Sequence, residues 1–273
     1  MPSLDRSPLG KPSTPRDEYD PALLFPIERA TQRAALGLSG ALPFFGDDLW
    51  TAYELSWLGP RGKPEIAIGR FRVPAESPRL VESKSVKLYL NSFSQTRFAS
   101  PVEVESRLHA DLTAACGHPV AVDLVPAADF PQLRVAELAG ESIDDLDIEV
   151  RDYAPQPDAL VARGPVAEET LVSELLKTNC PVTGQPDWGG VQVRYRGPGI
   201  DRAGLLRYVV SFRKHEGFHE HCVERMFVDL RDRCRPERLT VHARFTRRGG
   251  IEINPFRSDW EPPPAEGARA PRQ

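Results

Sequence analysis

The chain has 273 residues, 40% of them hydrophobic and 27% charged, with a formal net charge of −4. This describes a globular protein with material for a substantial core, either one large domain or two of about 130 residues. The mildly acidic balance argues against a general nucleic-acid binder, which carries a basic face. Four cysteines (Cys116, Cys180, Cys222, Cys234) are too few and too scattered for a disulfide framework, and no C-x-x-C pair offers the usual zinc spacing. The opening "MPSLDRSPLGKPSTPRDEYD" has no apolar run after its positive charges, so it is not expected to act as a secretory leader. No stretch reaches the roughly 20 apolar residues of a membrane span. The expectation is a cytoplasmic protein with reduced thiols.

Residues 1–20 and 259–273 are rich in Pro, Ala and charge, and read as a flexible arm and tail. In chain order, "WTAYELSWL" and "EIAIGRFRV" predict two strands joined by the turn "GPRGKP". "SVKLYLNSF" and "VEVESRLHADLTAAC" carry apolar residues at helical intervals. "VAVDLVP" and "LDIEVRDY" read as strands. After residue 155 the pattern restarts: "EETLVSELLK" predicts a helix over 168–177, and "WGGVQVRYRG" an alternating strand. "RAGLLRYVVSFRK" and "FHEHCVERMFVDLRDRC" then predict two helices, and "RLTVHARFTRRGGIEIN" closes with strand character.

The halves echo each other. "LYLNSF" ends at Phe93 and "RYVVSF" at Phe212, and each precedes a helix containing Asp-Leu, at Asp111-Leu112 and Asp229-Leu230. "DLWTAYEL" and "DWGGVQVRY" each place an aspartate before an aromatic strand. The preferred architecture is a duplicated strand, strand, helix, helix unit, with modules at 21–155 and 156–258.

"HEGFH" (215–219) matches H-E-x-x-H, where two histidines one helical turn apart bind zinc. Gly217 is a poor helix former there, and His221 points away from the shared face, so no metal is expected, although Glu224 or Asp229 could supply a third ligand. No G-x-G-x-x-G, Walker A or G-x-S-x-G motif occurs, so a dinucleotide has to be held without a Rossmann turn. That leaves "NCPVTGQPD". The residue before a proline favours extended backbone, which places Cys180 at the exit of the predicted helix. Asp187 follows a segment whose Pro and Gly let the chain fold back. A thiol and an acid across a turn suit covalent catalysis. On spacing alone a structural cysteine beside a turn aspartate is the commoner alternative. Glu82 and Lys84 open a helix, and His219 adjoins Glu220; each has a bland reading as a helix-start or exposed residue.

Taken together, "ESKSVKLYLNSF", "LLKTNCPVTGQPDWG", "LLRYVVSFRKHEGFHEHCVER" and "FTRRGG" resemble the NADPH-dependent nitrile reductases of queuosine biosynthesis, the 7-cyano-7-deazaguanine reductase family in its long, two-module form. The likeness runs from about Tyr19 to Arg257. It implies an α+β fold of tandem tunnelling-fold (T-fold) modules, each an antiparallel sheet carrying two helices. It also implies NADPH as cofactor, a small 7-deazaguanine substrate, no direct contact with nucleic acid or membrane, and a homodimer. By that resemblance Cys180 matches the nucleophile, Asp187 the proton donor, and His219 a pocket residue that is one candidate base. Glu82 and Glu220 match the carboxylates that hold the base edge, with Val81 and Ser83 lining the same site. Ser83, Lys84, Arg248 and Gly249 match the cofactor contacts. The first module is expected to lack a counterpart of Cys180, because "ALPFFG" precedes "DDLWTAYEL". Within the same fold family the alternative is a zinc-dependent GTP-cyclohydrolase-like hydrolase; from another class it is a non-catalytic purine or pterin binder.

Overall fold

A computed structural model describes residues 16–265 and 268–273. The chain divides into two compact units. The first comprises residues up to Ser39, Asp48–Leu133 and Arg247–Ile253, the second Gly40–Asp47, Arg134–Thr246 and Asn254–Gln273. These boundaries differ from 21–155 and 156–258: residues 134–155 go with the second unit and 247–253 with the first. Most of the expected N-terminal arm, residues 1–15, lies outside the described residues.

In the first unit, β1 (Pro26–Glu28) pairs antiparallel with β4 (Arg79–Val81), and α1 (Arg29–Ala34) follows β1. The main strands are β2 (Asp47–Leu58), β3 (Pro64–Pro74) and β5 (Ala121–Pro126), in the order β5-β3-β2. Helices α2 (Ser83–Asn91) and α3 (Pro101–Cys116) cover them. Val104, Leu108, Leu112 and Cys116 recur every fourth residue, so α3 buries one stripe against Trp50, Leu55, Trp57 and Phe71 of the sheet. Its start is fixed by Ser100, whose side chain accepts the Glu103 N–H, and by Pro101 at the first turn; Gly117 ends it with φ 72°.

The second unit holds β6 (Glu141–Ser142), β7 (Ala162–Asn179), β8 (Pro186–Ile200), α4 (Arg202–Ser211), α5 (His219–Cys234) and β9 (Arg238–Phe245). Strand β10 (Ile251–Ser258) contributes its residues from Asn254 onward, giving the order β10-β9-β8-β7-β6. All pairings are antiparallel except the two-residue β6–β7 contact. The buried ion pair of Arg257 with Glu224 (2.9 and 3.1 Å) ties α5 to β10.

Each unit therefore has a mainly antiparallel sheet with a pair of helices (α2 and α3, α4 and α5), α1 being additional in the first, and the units repeat in detail. Tyr89 donates its hydroxyl to Asp111 and Tyr208 to Asp229, both at 2.6 Å. Ser92 and Ser211 each return a hydroxyl to the preceding tyrosine carbonyl at 2.6 Å. Phe93 and Phe212 sit edge-on to those tyrosines at 5.2 Å. An incoming strap repeats too: Asp20 N–H bonds Ser92 and Gln156 N–H bonds Ser211, each just before a single 3-10 turn.

Four sequence expectations are corrected. The segment 168–177 is strand, not helix: it lies inside β7, paired along its length with β8. "LDIEVRDY" forms no strand. Residues 259–265 and 268–273 are docked rather than loose: Asp259 and Glu261 hydrogen-bond Leu239 and Thr240, and the Gln273 side chain is buried. Finally, β2 corresponds to β7 rather than β8, so the counterpart of Cys180 is Gly59 in the β2–β3 turn, and not part of "ALPFFG".

Candidate active site

The site in the second unit is built on the β7–β8 hairpin. Between Ser173 and Leu176 the register slips by one residue, so Glu174 and Leu175 form a β-bulge. Buried parity along β7 shifts there, from Leu171 and Ser173 to Leu176, Thr178 and Cys180. A slip of one residue exchanges faces, and here it puts Thr178 directly opposite Asp187. Cys180 is the next residue of that parity, at the first position of the loop. It is 6% exposed and Asp187 4%. The loop is closed by Cys180 N–H to Gln185 O (2.9 Å) and Gly184 N–H to Cys180 O (3.0 Å). Gly184 takes φ 66°, which a side chain would resist.

The connection between α4 and α5 grips the start of this loop. Asn179 donates to His215 O (2.8 Å) and accepts from Gly217 N–H (3.1 Å). Lys177 Nζ reaches both Asn179 Oδ1 (2.5 Å) and Arg213 O (2.8 Å). Burial, then Arg213, pulls the Lys177 pKa down, while Asp187 acts in the opposite sense. "HEGFH" is thus split: His215 lies in the connection and His219 is the first residue of α5, so no zinc-binding helical face exists. Burial pushes His215 down to about 4. Among the described residues no group of three His, Cys, Asp or Glu is arranged to hold a metal.

His219 projects from the α5 start, with Nε2 3.5 Å from Asp187 Oδ2. Its ring lies flat on Phe245 at 3.8 Å between centroids and 11° between planes. Phe245 is fully buried at the end of β9 and paired with Gly189. A Cβ on Gly189 would stand 2.6 Å from Arg244 O and 3.1 Å from the Phe245 ring, so only glycine admits this floor. Glu220 is buried in the first turn of α5, where the helix dipole favours a carboxylate. Beneath lies Cys222, whose thiol pKa is raised by burial and further by Asp187 and Glu220. Phe245, Thr178 and Gly189 were not singled out from the sequence; nothing in a strand-end Phe or a paired Gly marks them before the register is known.

The remaining candidates lie together in the first unit. Val81 ends β4 and is buried. Glu82 caps α2: its carboxylate accepts Lys84 N–H (2.6 Å) and Ser85 N–H (2.9 Å). Each carboxylate oxygen has two lone-pair positions, so these bonds leave capacity for further donors. Ser83 Oγ is 3.5 Å from Glu82 Oε1. Arg248 donates its backbone N–H to Ile251 O (2.9 Å), and the turn continues through Gly249 and Gly250 at φ 56° and 75°. A Cβ on Gly249 would meet Lys87 Nζ at 3.0 Å. Bare backbone beside Lys87 and Arg248 offers the donors and positive charge that a phosphate group needs, with the Glu54 carboxylate close against Gly250.

A buried thiol and a buried acid on one hairpin, with an imidazole 3.5 Å from the acid, are groups suited to chemistry through cysteine. Residues 15–124 match the family model described as "Nitrile reductase, 7-cyano-7-deazaguanine-reductase N-term", and residues 186–264 match "QueF-like protein". The chain is 57% identical over 272 residues to the NADPH-dependent 7-cyano-7-deazaguanine reductase of Burkholderia multivorans, covering 98% of this chain and 99% of that protein. The protein of the same name from Bordetella pertussis is also 57% identical, covering 99% and 100%. The chain belongs to the NADPH-dependent 7-cyano-7-deazaguanine reductase family. A solved structure, that of the archaeosine synthase QueF-Like in the apo form, aligns over 37% of this chain and 100% of its own at 18% identity and a TM-score of 0.31, too slight to carry an argument.

Proposed function

We propose that this chain reduces the nitrile of 7-cyano-7-deazaguanine to the aminomethyl base with NADPH, in the queuosine pathway, through a covalent bond to Cys180. The observation that carries the Cys180 assignment is the bulged hairpin, which sets Cys180, Thr178 and Asp187 on one buried face. His219 lies 3.5 Å from the acid.

A nitrile carbon is electrophilic, but direct reduction has to build charge on a poorly stabilised nitrogen. Addition of the Cys180 thiol removes that difficulty. The S–H proton passes to the Asp187–His219 pair, sulfur bonds to carbon, and the pair delivers the proton to nitrogen, giving a C=N thioimide. NADPH, when bound, supplies the two hydride equivalents of the four-electron reduction. After the first, sulfur departs as thiolate and takes a proton drawn from solvent through the Asp187–His219 pair, leaving an imine; after the second, the amine nitrogen takes one more proton by the same route. The apolar floor of Phe245 and the buried setting keep water from hydrolysing these C=N species. Glu220 accepts adjacent N–H donors of the guanine-like edge, and Glu82 is a carboxylate of the same kind in the first unit. Ser83, Lys84, Arg248 and Gly249 would hold the cofactor's phosphates.

The wider reading is of tandem tunnelling-fold modules in a cytoplasmic homodimer that acts on the free base and touches neither nucleic acid nor membrane. It is supported by the repeated units, the net charge of −4 and four free cysteines. No helix among the described residues is long and apolar enough to cross a membrane. NADPH oxidation driven by 7-cyano-7-deazaguanine tests the reading: two NADPH should be consumed per nitrile, and Cys180→Ala should stop consumption while still binding the base. Full turnover by Cys180→Ala would refute the covalent route.

A further inference from the structure

Residues 268–273 run back to the rear of the Phe245 floor. Arg269 bridges Val135 in parallel, accepting from Ala136 N–H (2.9 Å) and donating to Arg134 O (3.1 Å). Arg272 donates to the carbonyl of Glu174, at the β7 bulge (2.8 Å). The Gln273 side chain then turns inward and is 6% exposed.

Its amide meets a gap in the sheet. The β9–β10 register runs from Thr240↔Ser258 to His242↔Phe256 and goes no further. On the β8 side, Thr246 N–H bonds Trp188 O, so the Phe245–Gly189 pair is of the non-hydrogen-bonded kind. Phe245 thus needs other partners for its N–H and C=O, and buried backbone groups seldom go without. Asn254 Oδ1 accepts the Phe245 N–H (3.0 Å). Gln273 Nε2 donates to Phe245 O (3.0 Å) and to Asn254 Oδ1 (2.9 Å), and its Oε1 accepts Ala270 N–H (2.7 Å). Two side-chain amides stand in for the missing strand contacts at the one residue on which His219 stacks.

We infer that Gln273 is a positioning residue: by fixing Phe245 it sets the plane of the His219 ring and its approach to Asp187. Gln273 touches neither reacting group and acts through the floor alone. Its bearing on turnover rests on the nitrile-reductase reading; its bearing on His219 does not.

The test uses the full chain with Gln273→Met, which keeps volume and loses the amide, beside Gln273→Ala. NMR of the ligand-free protein reads the ring-current displacement of the His219 imidazole protons, assigned with His219→Gln. In Gln273→Met that displacement should fall by at least about half. The kcat for nitrile reduction should fall about ten- to a hundredfold, as for a reacting group set askew. KM for the nitrile should stay within about twofold, and the pH profile of kcat should shift. An unmoved His219 resonance overturns the inference, as does unchanged kcat where the wild type turns over. Should the wild type itself not oxidise NADPH with the nitrile, the functional reading fails, while the NMR arm still decides the coupling. If Gln273→Ala loses its fold, Gln273→Met decides alone.

Discussion

In the β2–β3 hairpin, Gly59 donates its N–H to Lys63 O at 2.9 Å and accepts from Gly62 N–H at 2.8 Å. In the β7–β8 hairpin, Cys180 does the same with Gln185 and Gly184. The parallels extend outward. Leu58 is clasped by Thr96 O and Phe98 N–H, just as Asn179 is clasped by His215 O and Gly217 N–H. Buried parity slips in β2 as it does in β7, from Ala52 to Leu55 and Trp57. Side chains, not backbone, separate the two. Where Thr178 leaves a small hydroxyl, Trp57 fills the volume. A Cβ on Gly59 would stand 2.4 Å from Glu65 Oε1, so the acid corresponding to Asp187 occupies the place a thiol would need. One frame thus holds a buried thiol in one copy and a filled core in the other. Chemistry here depends on what the bulged hairpin presents and on room being left for it.

The comparison is broken most severely at the cysteine. Cys180→Ala is expected to abolish nitrile-driven NADPH oxidation. Asp187→Asn, which removes the proposed proton carrier but keeps shape, should cost about 100- to 10,000-fold in kcat. Gly59→Cys sharpens the contrast from the other side: peptide mapping after treatment with the nitrile should show no adduct at residue 59, because the Glu65 carboxylate lies where that side chain would enter. An adduct at both positions would mean that the hairpin alone suffices. Trp57→Ala should cost about 3–5 kcal/mol in denaturant unfolding, the range for emptying a buried aromatic site.

Smaller differences distinguish the two tyrosine–aspartate pairs. Asp111 accepts from both Tyr89 and Tyr19, whereas Asp229 has Tyr208 with Arg225 at 3.6 Å. Tyr208→Phe should therefore destabilise by about 2 kcal/mol and Tyr89→Phe by about 1 kcal/mol. Equal losses would mean that Tyr19 lends Asp111 no support.

The pH response should differ as well. Burial pushes His215 to about 4 and His242 to about 3, while the counterpart of His215 in the first unit is Thr96, which does not titrate. A histidine near 6.5 when unfolded binds protons before its folded form does, so stability falls as pH drops below about 6.5 and stops falling once the folded pKa is passed. His215→Gln should flatten this loss between about pH 6.5 and 4, leaving the part due to His242 and to His221, whose pKa burial also lowers.

The helices were legible in the sequence because their apolar spacing is undisturbed, as in Val104, Leu108 and Leu112. Strand β7 was not. "EETLVSELLK" is made of good helix formers, and the bulge at Glu174–Leu175 breaks the alternation that would have signalled a strand. Tertiary pairing with β8 overrides that local preference. "LDIEVRDY" alternates like a strand but has no neighbour to pair with. The duplicated helices were readable, yet matching Asp48 to Asp187 put the modules out of register. "LGPRGKPE" against "NCPVTGQPD" carries the true alignment, hidden by a loop one residue longer in the second copy. Cys180, Asp187 and His219 stood out as motif residues. Phe245 did not, because its meaning lies in a ring laid on it from another element.

The central claim is that sulfur of residue 180, poised by Asp187 on the bulged hairpin, bonds the nitrile carbon. Intact-mass measurement of the wild-type chain mixed with 7-cyano-7-deazaguanine, with no NADPH present, tests it most directly. A single adduct of the base's full mass, mapped to Cys180 and absent in Cys180→Ala, is predicted. No adduct, or one carried by Cys116, Cys222 or Cys234 instead, would contradict it.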